Sequence, residues 1–265
     1  MFDRYDREVT YLRISVTDKC NLRCTYCMPA EGVPPRRHED FLSFEQIVSA
    51  ARAAVGLGVR KIRLTGGEPL VKRGIVDLVR MLRGIEGLAH LAMTTNGTLL
   101  ARHARALKHA GLDSLNVSLD TLDPNSYREL TRGGDIRDAL EGIRAAIAEG
   151  FPVKINMVVL STTGEEEIGR MRAFCGEVGA QLQLINHFDL AGEKKDSYRF
   201  ERPPACGSCN RIRLLADGTL KPCLHSDLEV RLDPARIEES LREAILAKPA
   251  RGGACTTRAI SQIGG

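Results

Sequence analysis

From Tyr11 to about Ile185, short apolar runs alternate with longer amphipathic segments in a repeating strand–loop–helix order. The runs predict strands at Leu12–Val16, Lys61–Leu64, His90–Thr94, Ser114–Ser118, Val153–Val159 and Gln181–Ile185. Several of the helices between them carry legible starts. Ser43 with Gln46 and Thr163 with Glu166 fit a capping box, and Asp123-Pro124 puts proline at the first helical position. Four strands follow a glycine suited to ending a helix: Gly58, Gly111, Gly150 and Gly179. Strand–helix alternation at this spacing implies right-handed crossovers and a parallel sheet. Six units fall short of the eight that close a full barrel. The expected fold is therefore α/β, an open, TIM-like partial (βα)6 barrel.

After Asp189 the rhythm stops, which divides the chain into a barrel unit, 1–189, and a smaller C-terminal region, 190–265. A charged stretch from Ala191 to Pro204 links them. Beyond it, Arg211–Leu215 and Thr219–Cys223 flank Ala216-Asp217-Gly218, a pattern that predicts a hairpin with a primed turn. Composition adds few constraints. At 265 residues, with 43% hydrophobic and 27% charged positions, the chain has enough apolar material for a real core. A net charge of +4 with no long single-sign run gives no reason to expect nucleic acid or an anionic membrane as partner. The charged start, Met-Phe-Asp-Arg-Tyr-Asp-Arg-Glu, is unlike a signal peptide, and no apolar run approaches the roughly 20 residues of a membrane span. Eight cysteines without a secretory context point to metal binding in a reducing compartment, and so to the cytoplasm.

Three of those cysteines change the picture most. Cys20-Asn-Leu-Arg-Cys24-Thr-Tyr-Cys27 directly follows the first strand, and a thiolate triad this close can wrap one metal centre. A closed zinc site or an ordinary electron-transfer cluster takes four protein ligands, whereas three leave one iron of a [4Fe–4S] cube without one. The competing readings are a zinc knuckle completed by a distant residue and three unrelated buried cysteines. In barrels of this kind chemistry gathers at the C-terminal ends of the strands. There the chain places Thr65-Gly66-Gly67-Glu68-Pro69, Thr95-Asn96-Gly97, Ser118-Leu119-Asp120, Asn156 and Asn186-His187. The glycine pair lets a backbone approach a ligand with no Cβ in the way, and the carboxylate after it can take an ammonium group. The bland alternative is a tight turn.

Buried parallel strands read as near-continuous apolar runs, yet Arg13, Lys61, Arg63 and Lys154 interrupt three of them. Lys61 and Arg63 share a face, as do Lys154 and Asn156. Either these cations pair with acids or snorkel out at the barrel mouth, or they line the lumen and meet an anionic substrate such as a phosphate. Cys206, Cys209 and Cys223 form a second triad, at the entry and far end of the predicted hairpin, where they can converge. Arg211 and Arg213 share a strand face beside it, suited to bidentate phosphate contacts unless they simply charge an edge strand. Cys255 or His225 could complete a zinc site there. Cys175, beside Phe174 in a helix, reads as a buried apolar residue.

The Cys-x3-Cys-x2-Cys spacing with Tyr26 before the last cysteine, together with Gly66-Gly67-Glu68-Pro69, resembles the radical S-adenosylmethionine (SAM) superfamily. The resemblance implies a [4Fe–4S] cluster on Cys20, Cys24 and Cys27 whose open iron chelates SAM. It also implies that Gly67 and Glu68 hold SAM's amino group, with Tyr26 in the cofactor site and Thr94, Ser118 and Asn156 at the ribose and carboxylate. More narrowly, Tyr11 to Leu70, the Val153–Val159 strand, Cys206 to Cys223 and the terminal Ile263-Gly264-Gly265 are similar to the GTP 3′,8-cyclase family, which opens molybdenum-cofactor biosynthesis. That family's chemistry implies a radical SAM lyase in which a 5′-deoxyadenosyl radical takes hydrogen from C3′ of GTP and the resulting carbon radical attacks C8 of guanine. It implies a second [4Fe–4S] cluster on Cys206, Cys209 and Cys223 with an open iron at the guanine. Arg13, Lys61, Arg63, Lys154, Arg211 and Arg213 would meet the triphosphate and nearby groups, and the glycine tail would reach the active site rather than fray. The implied partners are GTP and an electron-donor protein, with neither nucleic acid nor membrane, and a homodimer is allowed. Three features depart from the family: Gln183 where an arginine is usual, Asn186 where an acid is, and a short connection from Asp189 to Ala205. They leave room for a paralogue acting on another anion.

Two rivals predict different behaviour. A radical SAM peptide-modifying enzyme would ligate its second cluster fully, with Cys255 as fourth ligand, and would ignore nucleotide. A non-catalytic iron–sulfur carrier would have no task for Gly66-Gly67-Glu68-Pro69 or the lumenal cations, and would not bind SAM.

Overall fold

The computed structural model describes residues 1–34, 36–195, 198–200 and 205–264, so the end of the predicted linker at Pro204 and the terminal Gly265 lie outside the described residues. A nine-stranded sheet organises the chain. Strands β1 (Tyr11–Ser15), β2 (Lys61–Thr65), β3 (His90–Thr95), β4 (Ser114–Ser118), β5 (Val153–Val159) and β6 (Gln181–Asn186) pair side by side, all parallel. Between them run α1 (Phe44–Gly56), α2 (Ile75–Arg83), α3 (Leu100–His109), α4 (Pro124–Thr131), α5 (Ile136–Ala148) and α6 (Glu165–Val178). On the other side of β1, β7 (Arg211–Leu214) adds in parallel, and β8 (Thr219–Lys221) and β9 (Val230–Arg231) follow antiparallel. The order β6-β5-β4-β3-β2-β1-β7-β8-β9 leaves β6 and β9 as edges, so the barrel is open. Two late helices, α7 (Ile237–Leu246) and α8 (Ile260–Ile263), went unpredicted; α7 packs against α1.

Strand alternation places the site. Leu12 and Ile14 of β1, Ile62 and Leu64 of β2, and Leu91 and Met93 of β3 are all fully enclosed in one core with Ile47, Leu78, Leu82 and Leu107 of the helices. Each such side chain contributes roughly 1.5–3 kcal/mol by leaving water. Because successive strand residues point to opposite faces, Tyr11, Arg13 and Arg63 must then face the lumen. The register lines up Arg63, Arg13 and Arg213 across β2, β1 and β7, and Lys61, Tyr11 and Arg211 one layer away.

Local expectations hold with two corrections. The Ser43–Gln46 capping box forms, and Asp123 accepts from the Ser126 amide ahead of α4. Thr163 does not cap α6, which starts from Gly164; its hydroxyl instead accepts from the Leu160 amide at 3.0 Å and closes the preceding turn. The β7–β8 turn is not primed. Gly218 (φ 82°) takes the left-handed conformation while Asp217 does not, and a longer loop closes with Leu215 N–H on Thr219 O at 2.7 Å. β8 ends at Lys221, leaving Cys223 two residues past it and Cys209 two residues before β7, both on one cavity.

Candidate active site

The loop carrying Cys20, Cys24 and Cys27 is docked from several sides. Amides of Arg23 and Thr25 donate to Thr131 O and Leu130 O at the end of α4, at 3.0 and 2.9 Å. The Arg132 guanidinium reaches back to Arg23 O and Met28 O, both at 2.8 Å. Tyr26 donates its hydroxyl to Asp120 at 2.6 Å, and the other oxygen of Asp120 accepts from Val158 N–H of β5. Tyr26 thus ties the cysteine loop to β4 and β5, and its ring meets that of His187 edge-on. Cys20 Sγ accepts from the Leu22 amide at 3.4 Å and lies 3.8 Å from Asn96 Nδ2.

Burial, then the neighbouring Cys27 and Asp120, pushes the Cys24 thiol far above its ordinary value; burial, Cys20 and Asp120 push Cys27 up to about 12. The three sulfurs therefore crowd as charges. A positive iron centre reverses that cost, since a coordinating thiol is deprotonated outright. As they stand, no three His, Cys, Asp or Glu side chains among the described residues are grouped to hold a single metal ion. The donor set, three soft sulfurs on one half-buried loop, fits a cluster with an open iron.

Gly66 and Gly67 stand where two backbone segments come close. Gly67 N–H donates to Thr17 O at 2.7 Å and Glu68 N–H to Lys19 O at 2.8 Å. A Cβ on Gly67 would sit 2.3 Å from Lys19 O, and one on Gly66 2.3 Å from Thr17 O. The glycines let this loop clasp the chain that leads into Cys20. The Glu68 carboxylate is fully enclosed and accepts from Leu70 N–H, Thr95 Oγ1 and Asn96 N–H at 2.9, 2.7 and 2.7 Å, which ties the β2 and β3 loops together. Burial raises its pKa to about 7 against those hydrogen bonds.

Within the lumen, a cavity of about 180 Å³ gathers all six predicted cations, Arg13, Lys61, Arg63, Lys154, Arg211 and Arg213, with Tyr11, Thr94, Asn116, Asn156 and Gln183. No Asp or Glu side chain is among its described lining residues. Tyr11 is a site residue the sequence did not flag. Its hydroxyl accepts from Arg63 Nε at 2.7 Å, and Lys61 and Arg211 each lie 5.5 Å from its ring centre. Burial opposes ionisation of Tyr11, but Arg13, Arg63 and Arg211 outweigh it and bring the phenol down to about 8. Thr94 accepts from Arg63, Asn156 pairs with Asn116, and Ser118 lies beside Asn156 in register. Arg213 is 5% exposed with its Nε unbonded among the described residues, and burial with Arg13 and Arg211 disfavours its charge. An anion in this cavity would offset the cost of gathering so many positive charges.

The second triad adjoins this wall. Cys206, Cys209 and Cys223 line a cavity of about 50 Å³ that shares Arg211, Arg213 and Leu224 with the cationic one. Cys206 Sγ accepts from Lys194 Nζ at 2.9 Å and from Gly252 N–H at 3.4 Å, and Lys248 Nζ lies 3.9 Å from Cys209 Sγ. Burial raises the Cys206 thiol, yet Lys194 and Gly252 leave it below its ordinary value. Cationic surroundings of this kind suit thiolates, so this donor set also fits a cluster. Cys255 does not line the cavity; it is 1% exposed among Leu190, Leu215 and Ile263. Cys175 is buried in the main core.

The C-terminal tail enters the site. Ile263 is enclosed, and Gly264 (φ 71°) offers its carbonyl to Arg13 at 3.3 Å, where a Cβ would meet Thr65 Cγ2 at 2.6 Å.

A model of the radical SAM superfamily matches residues 14–175. Curated GTP 3′,8-cyclases align along the chain: that of Alkaliphilus oremlandii is 40% identical and that of Moorella thermoacetica 39%, each over 100% of both chains. The chain belongs to the GTP 3′,8-cyclase family of radical SAM proteins. The Peptoclostridium acidaminophilum member is 41% identical over 93% of this chain and 90% of its own. Among solved structures, Streptococcus suis SuiB bound to S-adenosylmethionine superposes with a TM-score of 0.68 at 18% identity, over 82% of this chain and 60% of SuiB. The anSMEcpe protein with bound AdoMet gives 0.63 at 17%, over 91% and 81%. At such identities these two show the fold, the radical SAM α/β barrel. Family membership brings [4Fe–4S] clusters and SAM as cofactors. No helix among the described residues is long and apolar enough to cross a membrane.

One of the family departures has a local explanation. Asn186 donates to Phe200 O at 2.9 Å and accepts from Phe200 N–H at 3.2 Å, pinning the short connection with a donor and an acceptor that no carboxylate supplies together. Gln183 still lines the cationic cavity, without a charge.

Proposed function

We propose that this protein is a GTP 3′,8-cyclase, a radical SAM lyase that converts GTP to the cyclic pyranopterin precursor of molybdenum cofactor. The observation that carries the reading is the cationic wall, six lysines and arginines in one lumenal cavity that adjoins the second triad. Full-length kinship to curated GTP 3′,8-cyclases supports it. Cys20, Cys24 and Cys27 hold the first cluster, and Gly67, Glu68, Tyr26, Thr94, Ser118 and Asn156 build the SAM site around it. When bound, that cluster and SAM supply the carbon radical that takes a hydrogen from the substrate.

The remaining work belongs to the protein. Arg13, Lys61, Arg63, Lys154, Arg211 and Arg213 hold the triphosphate, arginines as planar forks and lysines as point charges. Tyr11 holds Arg63 in place. Gly264 closes the tail over Arg13, excluding water from the reacting ribose. Cys206, Cys209 and Cys223 hold the second cluster at the base end of the nucleotide. On this reading residues 1–189 form the barrel unit and 190–265 the auxiliary-cluster region, although β7 joins both in one sheet. A cytoplasmic setting, a protein electron donor and a homodimer complete the proposal; eight unpaired cysteines favour the reducing setting.

The test is anaerobic 5′-deoxyadenosine formation by the reconstituted protein with SAM and reductant, with and without GTP. A GTP-dependent rise with GTP consumption is expected. Slow SAM cleavage indifferent to GTP would keep the radical chemistry and reject the substrate.

A further inference from the structure

His225 stands out among the buried polar groups. It is 3% exposed, and neither ring nitrogen has a hydrogen-bond partner among the described residues. Buried polar atoms are almost always paired, so an imidazole left with two orphan nitrogens calls for a missing partner. Phe188 packs on the ring at 5.1 Å between centroids, which supplies apolar contact and nothing to bond.

The surroundings say what the partner is. His225 lines the same small cavity as Cys206, Cys209 and Cys223, two residues beyond the last of them. Gly252 fixes how close the two side chains come: a Cβ there would lie 2.9 Å from His225 Cβ and 3.2 Å from Cys223 Sγ. Its missing side chain allows the strap after α7 to press ring and thiol against one space. Three thiolates leave one iron of a four-iron cluster without a protein ligand. A neutral imidazole is a good ligand for iron.

We infer that His225 ligates the fourth iron of the second cluster in the nucleotide-free enzyme. This rests on the proposed reading of Cys206, Cys209 and Cys223 as cluster ligands. A single neutral imidazole shields that iron from water and stray thiols without adding a fourth negative charge, and it is more easily exchanged for a substrate atom than a thiolate is.

The test is pulsed EPR on the reduced, reconstituted full chain carrying 15N-histidine, without SAM or GTP, so that neither small molecule contributes nitrogen. A strong 15N coupling of a directly bound imidazole is expected in the wild type. It should vanish in His225→Ala, and equally in His225→Leu, which keeps apolar packing against Phe188, with iron and sulfide contents unchanged. Absence of the coupling at full iron loading, or its survival in both variants, overturns the assignment while leaving the second cluster in place. An iron content of about four per chain instead of about eight would remove the second cluster itself, and with it both this ligand and that part of the proposed function.

Discussion

Gly67→Ala separates two roles for the glycine pair, docking the cysteine loop and admitting SAM. An ordinary Cβ contact begins at 3.4 Å, whereas a Cβ on Gly67 would lie 2.3 Å from Lys19 O, 2.6 Å from Lys19 C and 2.7 Å from Asp18 O. All three are backbone atoms, so relief requires the two segments to part by about 1 Å. That breaks the bonds Gly67 N–H to Thr17 O and Glu68 N–H to Lys19 O, at roughly 0.5–1.5 kcal/mol each. Lys19 adjoins Cys20, so the displacement passes into the first ligand. A misplacement of about 1 Å costs roughly 100-fold in rate. We expect Gly67→Ala to lower 5′-deoxyadenosine formation by about that factor and to lose iron from the first triad. Gly169→Ala on α6, where nothing lies within 4 Å, should keep both and gain up to about 1 kcal/mol of stability. Full iron content with a weakened SAM affinity alone would refute the docking argument.

Other outcomes follow from single groups. Glu68 releases its proton near 4.5 when unfolded and near 7 when folded, so the folded state holds the extra proton between these values. Its contribution is fully present below pH 4.5 and lost as pH rises through 7, about 3 kcal/mol in all; Glu68→Gln should flatten that fall in urea midpoints of the cluster-free chain. Arg213→Leu should raise KM for GTP roughly 10–100-fold, the worth of a charged hydrogen bond, without lowering the melting temperature of the ligand-free protein, because it removes a buried charge; a lowered melting temperature would show that Arg213 is already compensated. Asn186→Asp should loosen the segment around Phe200, seen as faster limited proteolysis after residue 186, since the new carboxylate cannot donate to Phe200 O. Leu12→Ala, at a fully enclosed position of β1, should cost roughly 2–5 kcal/mol in denaturant unfolding.

The sequence alone determined the alternation of strands and helices, the cysteine spacings and the placement of cations where apolar residues belong. These are local signals: a strand's period of two exposes Arg13, Arg63 and Lys154 as misfits, and a triad of cysteines is visible as spacing. It could not supply what depends on residues distant in the chain. That β7 joins β1, bringing Arg213 into line with Arg13 and Arg63, is a pairing across about 200 positions that no periodicity announces. That the glycine pair also clasps the backbone of Thr17–Lys19, some fifty residues earlier, is visible only in the fold. Lys194, Lys248 and Gly252 reach the second triad from segments with no motif of their own. Chemistry was legible where one short segment carries its ligands; the electrostatics of the site were decided only by packing, because charges interact through space and the chain's order does not encode those distances.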